Sequence, residues 1–105
     1  MGGLDELKTL EEFNQFISTN ELVIVDFTAT WCGPCQKIGP EFVELSKKYL
    51  NVKFVKVDVD VNGDTAEVCE VSAMPTFQLY KNGKKVGEVV GSSIQNVEEL
   101  LKNNI

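Results

Sequence analysis

The sequence predicts an α/β domain with a central mixed β-sheet and helices on both faces. Three observations predict it. Two apolar runs rich in β-branched residues, ELVIVDFTA at 21–29 and VKFVKVDVD at 52–60, are separated by segments of helical periodicity. Strands joined through helices pair in parallel, because the crossover needs a dozen or more residues. Later, TFQLYK (76–81) and KVGEVV (85–90) flank Asn82–Gly83, a two-residue hairpin signal that adds antiparallel edges.

Each element has its own reason. A small strand is expected near 4–8. Thr9 with Glu12 makes a capping box, and Leu10, Phe13, Phe16 and Ile17 follow at helical spacing, so a helix is expected over 9–19. The run at 21–29 is almost continuously apolar, as in a strand covered on both faces. A second helix is expected over 34–49, with Ile38, Phe42, Leu45 and Tyr49 along one side and a kink at Pro40. The strand at 52–60 alternates; a Gly63 turn and a short helix at 64–70 come next. After the hairpin, Ser93 caps a last helix carrying Ile94, Val97, Leu100 and Leu101.

A chain of 105 residues, 43% hydrophobic and 25% charged, is expected to form one domain over 1–105. No apolar run is long enough to span a bilayer, and MGGLDELK lacks the basic start and apolar stretch of a secretory signal. Gly2 does not open a myristoylation signal, because Glu6 stands where Ser or Thr is needed. A cytoplasmic protein is expected. The net charge of −6 argues against binding phosphate backbones, and the absence of histidine removes every mechanism built on imidazole.

The chemistry concentrates in WCGPC at 31–35. Three cysteines, Cys32, Cys35 and Cys69, are too few for a disulfide-stapled secreted domain. Structural zinc takes four Cys or His ligands, so this chain would need a carboxylate or a second copy, the weakest reading. Haem attachment needs histidine directly after the second cysteine, and that residue is Gln36. No metal is expected. A redox pair fits the local mechanics: at a strand end and helix start, Cys32 meets free N–H groups and the positive end of the helix dipole, which favour thiolate. Pro34 is harmless in the first turn, and cysteines three apart lie on one helix face, close enough for a disulfide. Cys32 can then attack a disulfide and Cys35 resolve the mixed disulfide.

WCGPC after an apolar strand, Asp26 upstream and MPTF at 74–77 closely resemble the thioredoxin family in its cytosolic eukaryotic form, over nearly the whole chain. The resemblance implies a thioredoxin fold and a protein-disulfide reductase, a thiol–disulfide oxidoreductase serving electron transport and cell redox homeostasis. It implies no bound cofactor, with electrons from NADPH arriving through thioredoxin reductase. The implied substrates are disulfide-containing proteins such as peroxiredoxins, ribonucleotide reductase and methionine sulfoxide reductases, met by a monomer. A rival reading from another class is a binding module whose redox state gates association.

The same resemblance suggests roles around the pair. Asp26 shares a strand face with Leu22 and Ile24, and is either a carboxylate at a sheet edge or a buried one. If buried, its pKa rises and suits a general base for Cys35. Lys56 matches the family's lysine near that carboxylate. Pro75 matches a cis proline, with Met74 pairing its backbone to a substrate strand and Thr76 following as the strand resumes. Trp31 is read as a partly exposed platform whose indole bonds Asp60, and Gly91 as the place where a partner backbone approaches. With Gly33, Pro34 and Met74, these form an apolar patch selecting exposed disulfide segments. Cys69 is expected to be a small buried residue. Ala73 occupies the place where some animal members carry a further cysteine, which removes dimerisation through it. Thr28 replaces the tryptophan of many bacterial members.

Overall fold

The computed structural model describes residues 4–105; Gly2 and the start of the expected 1–105 domain lie outside them. The elements are β1 (Asp5–Glu6), α1 (Leu10–Thr19), β2 (Leu22–Thr28), α2 (Gly33–Ser46), β3 (Lys53–Asp58), α3 (Gly63–Val68), β4 (Thr76–Lys81), β5 (Lys84–Val90) and α4 (Ile94–Lys102). The sheet order is β1-β3-β2-β4-β5. The first three strands are mutually parallel, while β4 runs antiparallel to β2 and β5 antiparallel to β4. The sequence-based architecture is therefore the observed one.

Side chains alternate across each strand, so the sheet carries one core on each face. Leu22 and Ile24 join Phe54, Phe77 and Leu79 beneath Ile38, Phe42 and Leu45 of α2 and Val97 and Leu101 of α4. Phe42 is central there, with ring centroids 4.9 Å from Phe54 and 5.2 Å from Phe77. Val23, Val25 and Phe27 face the other way, with Val55 and Val57, onto Phe13 and Ile17 of α1. Alternation explains why β2 reads as a solid apolar run: both of its faces are covered.

Local signals set most element ends. Thr9 accepts the Glu12 N–H at 3.0 Å, Asn62 accepts that of Thr65 at 3.3 Å and Ser93 that of Asn96 at 3.2 Å. Asn82 (φ 53°) and Gly83 (φ 82°) both take the left-handed conformation that a two-residue hairpin requires. A bulge between Leu79 and Tyr80 shifts the register of that hairpin. Three expectations need correction. The second helix ends at Ser46 rather than near residue 49, because Lys47 and Lys48 close a final turn onto Glu44 and Leu45. Tyr49 lies past the helix, where its hydroxyl donates to Glu98 at 2.7 Å. Cys69 caps the short helix instead of lying in it, and Glu70 turns the chain away with φ 60°.

Candidate active site

The end of β2 feeds directly into α2, and the cysteines occupy that junction. The Cys32 N–H donates to the Ala29 carbonyl at 3.2 Å, which curls the chain into the helix start. Cys32 is the N-cap: its Sγ accepts the Cys35 N–H at 3.2 Å, and its carbonyl accepts the Gln36 N–H at 3.1 Å. Gly33 and Pro34 fill the first helical positions, where no N–H partner is needed. The two cysteines form a disulfide across 5.3 Å between Cα atoms. Both are buried, Cys35 more deeply, in a small cluster with Ala29 against which Val59 and Met74 pack. In the dithiol state, the N-cap position places a sulfur where the helix dipole and a free N–H stabilise negative charge.

Asp26 is on the middle strand, paired with Lys56 of β3 on one side and Phe77 of β4 on the other. Of the two readings open for it, the sheet-edge position is therefore excluded. It is 4% exposed, and its Oδ1 has no hydrogen-bond partner among the described residues. Burial pushes its pKa up to about 7, against the smaller opposing pull of the Lys56 ammonium. A cavity of about 320 Å³ opens beside it, lined among others by Asp26, Lys56, Thr28, Cys35 and Gly39. Carboxyl, lysine and inner cysteine thus share one pocket under α2.

The remaining sequence-predicted residues gather around the disulfide. Trp31 is 68% exposed, and its indole N–H donates to Asp60 at 2.8 Å, tying the ring to the turn after β3. Gly33 and Pro34 are exposed, Met74 is half-buried and the Met74–Pro75 peptide bond is cis. The Gly91 N–H donates to the Pro75 carbonyl at 2.9 Å, with Gly91 at φ 112°, a backbone shape that L side chains rarely adopt. Pro75 and Thr76 are buried, and the Thr76 hydroxyl donates to the Ala73 carbonyl. That side chain faces inward and ties the loop to Ala73.

Sequence reasoning passed over several contributors. Gln36 Nε2 donates to the Ala29 carbonyl at 2.8 Å and so ties α2 to the end of β2. Glu6, Thr28 and Asp58 line the Asp26 pocket. Period-two alternation puts each on a known side of its own strand, but only the pairing register brings them together. Cys69 is buried, as expected, and accepts a hydrogen bond from the Tyr80 hydroxyl at 3.3 Å, with burial pushing its thiol pKa up. Among the described residues, no group of three or more His, Cys, Asp or Glu side chains is placed to hold a metal ion.

Comparison with known proteins agrees with this geometry. A family model described as Thioredoxin matches residues 6–103. Thioredoxin-1 of Saccharomyces cerevisiae is 46% identical over 99 residues, covering 94% of this chain and 96% of its own. The crystal structure of Schistosoma mansoni thioredoxin superposes with a TM-score of 0.92 at 52% identity, covering 99% of this chain and 97% of that one. A chain solved in work on thiol resolution in yeast mitochondrial 1-Cys peroxiredoxin via glutathione/thioredoxin systems superposes at 0.92 with 41% identity, covering 95% of this chain and 94% of its own.

Proposed function

The chain belongs to the thioredoxin family and is a thiol–disulfide oxidoreductase, and from that premise we propose how its site divides the work of reducing protein disulfides. The Cys32 thiolate attacks one sulfur of a substrate disulfide. The substrate S–S bond breaks, the departing sulfur leaves as a thiolate that takes a proton, and Cys32 is left in a mixed disulfide. Cys35 then gives its proton to the Asp26 carboxylate and attacks Cys32 Sγ. The Cys32–Cys35 bond forms and the substrate leaves with its second thiol, two electrons richer. The observation that carries this reading is the Cys32–Cys35 disulfide at the N-cap, with Asp26 and Cys35 lining one cavity.

Substrate selection is assigned to the exposed rim. Trp31, held by Asp60, with Gly33, Pro34 and Met74, offers an apolar landing surface, and the Met74–Pro75 backbone beside Gly91 receives an extended segment in strand fashion. Thr76 supports this loop from below. Lys56 modulates the Asp26 charge. The cycle closes when an NADPH-dependent thioredoxin reductase returns the disulfide to the dithiol; the family carries no bound cofactor of its own. Peroxiredoxins are proposed substrates, supported by the yeast peroxiredoxin work on a similar chain. Ribonucleotide reductase and methionine sulfoxide reductases present the same chemistry and are proposed alongside. The protein is taken to work as a monomeric single domain in the cytoplasm, a reducing compartment suited to its dithiol form. No helix among the described residues is long and apolar enough to cross a membrane.

The test is the Cys35→Ser variant, reduced, mixed with a disulfide-containing protein and analysed by intact mass and peptide mapping. A stable adduct on Cys32 is expected. Free, unmodified thiols after that incubation would instead leave a protein that binds without exchanging disulfides.

A further inference from the structure

Glu6 of β1 is in register with Lys56 of β3, and Lys56 is in register with Asp26 of β2. Paired residues of neighbouring strands project to the same face of a sheet. The three side chains therefore form a row of carboxylate, ammonium and carboxylate across the parallel strands. All three line the cavity of about 320 Å³ that Cys35 also lines. Among the described residues, Lys56 is in no direct ion pair with either carboxylate, and its charge acts on Asp26 through space. The other groups facing Asp26 are few. Asp58 of β3 also lines the cavity, but its Oδ1 accepts the Asp60 N–H at 2.9 Å. From α2 come Cys35 and the uncharged Gln36, and β4 sets Phe77 beside Asp26.

We propose that Glu6 is a positioning residue for the resolving step: its carboxylate, in register with Lys56, offsets the pull by which the Lys56 ammonium favours the charged form of Asp26. This rests on Asp26 as the acceptor of the Cys35 proton. Neighbouring strands lie about 4.8 Å apart, so Lys56 is one strand from each carboxylate and the carboxylates are two strands from each other. With Glu6 neutralised, the Lys56 ammonium acts on Asp26 without that offset, and a like charge two strands away disappears. Both changes favour the ionised Asp26 carboxylate. Asp26 becomes a weaker base, and Cys35 loses its proton less readily.

The experiment compares Glu6→Gln, Glu6→Asp, Lys56→Met and the Glu6→Gln/Lys56→Met double variant. Asp26 is titrated by carboxyl-carbon NMR in the oxidised protein, and the pH dependence of mixed-disulfide resolution is measured in parallel. Glu6→Gln is expected to lower the Asp26 midpoint by about half a pH unit, Glu6→Asp to keep it, and the Lys56→Met background to reduce the Glu6 effect to the smaller direct repulsion between the carboxylates. An unmoved midpoint in Glu6→Gln, or an equal shift without Lys56, overturns the proposal. Asp26→Asn in the same resolution assay separates the two layers. If it leaves the rate unchanged, Asp26 is not the base, while the NMR midpoints still report whether Glu6 acts through Lys56.

Discussion

At Asp26 a carboxyl group lies in the middle of the sheet; among the described residues its Oδ1 is unpartnered, and a lysine on the next strand offsets part of the loss of water. Burial dominates, which is why its pKa reaches about 7 from an ordinary value of 3.8. The sign for stability follows. Between those two values the folded state holds a proton that the unfolded state has released, so stability falls as pH rises through this window, and the penalty is complete above it. Replacing Asp26 with Asn removes the penalty. Denaturant unfolding is expected to show little difference between the two proteins near pH 4 and a gain of up to about 4 kcal/mol for Asp26→Asn above pH 8. A difference independent of pH would mean that Asp26 is not buried as a titrating acid. On the proposed mechanism, the same substitution is expected to slow resolution of the mixed disulfide. Period-two alternation made the Leu22, Ile24 and Asp26 face legible, but not whether that strand was central.

Two glycines separate packing from backbone freedom at the scale of elements. Gly39 is inside α2, where an added Cβ meets no atom within 4 Å. Alanine there keeps the helix and restricts the unfolded chain, so Gly39→Ala should gain about 0.5–1 kcal/mol in urea unfolding. Gly87 of β5 is the opposite case: a Cβ would run into Leu100 Cδ1 on α4. Leu100 must rotate away, and Gly87→Ala should cost about 1 kcal/mol in the same assay. A stabilised Gly87→Ala would show that the Leu100 side chain yields at little cost. Helix starts and the hairpin turn were legible because each is written in two to four neighbouring residues, as at Thr9, Ser93 and Asn82–Gly83. The end of α2 was not: Tyr49 keeps the apolar spacing of the helix, yet is drawn out of it to a distant partner, Glu98.

On the scale of the whole molecule, β2 is paired on both edges and buried on both faces, whereas β1 and β5 are the outer strands. Native-state hydrogen exchange should find the β2, β3 and β4 amides opening only with global unfolding, and β1 amides opening through smaller fluctuations. Equal protection in β1 and β2 would contradict that hierarchy. The arrangement also explains the position of the site: the cysteines follow the carboxyl end of β2, where β3 ends on one side and β4 begins on the other. The sequence by itself determined the alternation of strands and helices, the hairpin, and a Cys-Gly-Pro-Cys turn at a helix start suited to redox chemistry. These are short-range matters of periodicity, turn chemistry and N-terminal helix geometry, and they read directly from neighbouring residues. Only the tertiary structure decided that β2 is central and Asp26 therefore buried, that the Thr76 side chain faces inward, and that Glu6, Lys56 and Asp26 stand in one row beside Cys35. Those depend on which strands pair and in what register, a choice made by burying two apolar faces at once, and no local stretch of the chain contains it.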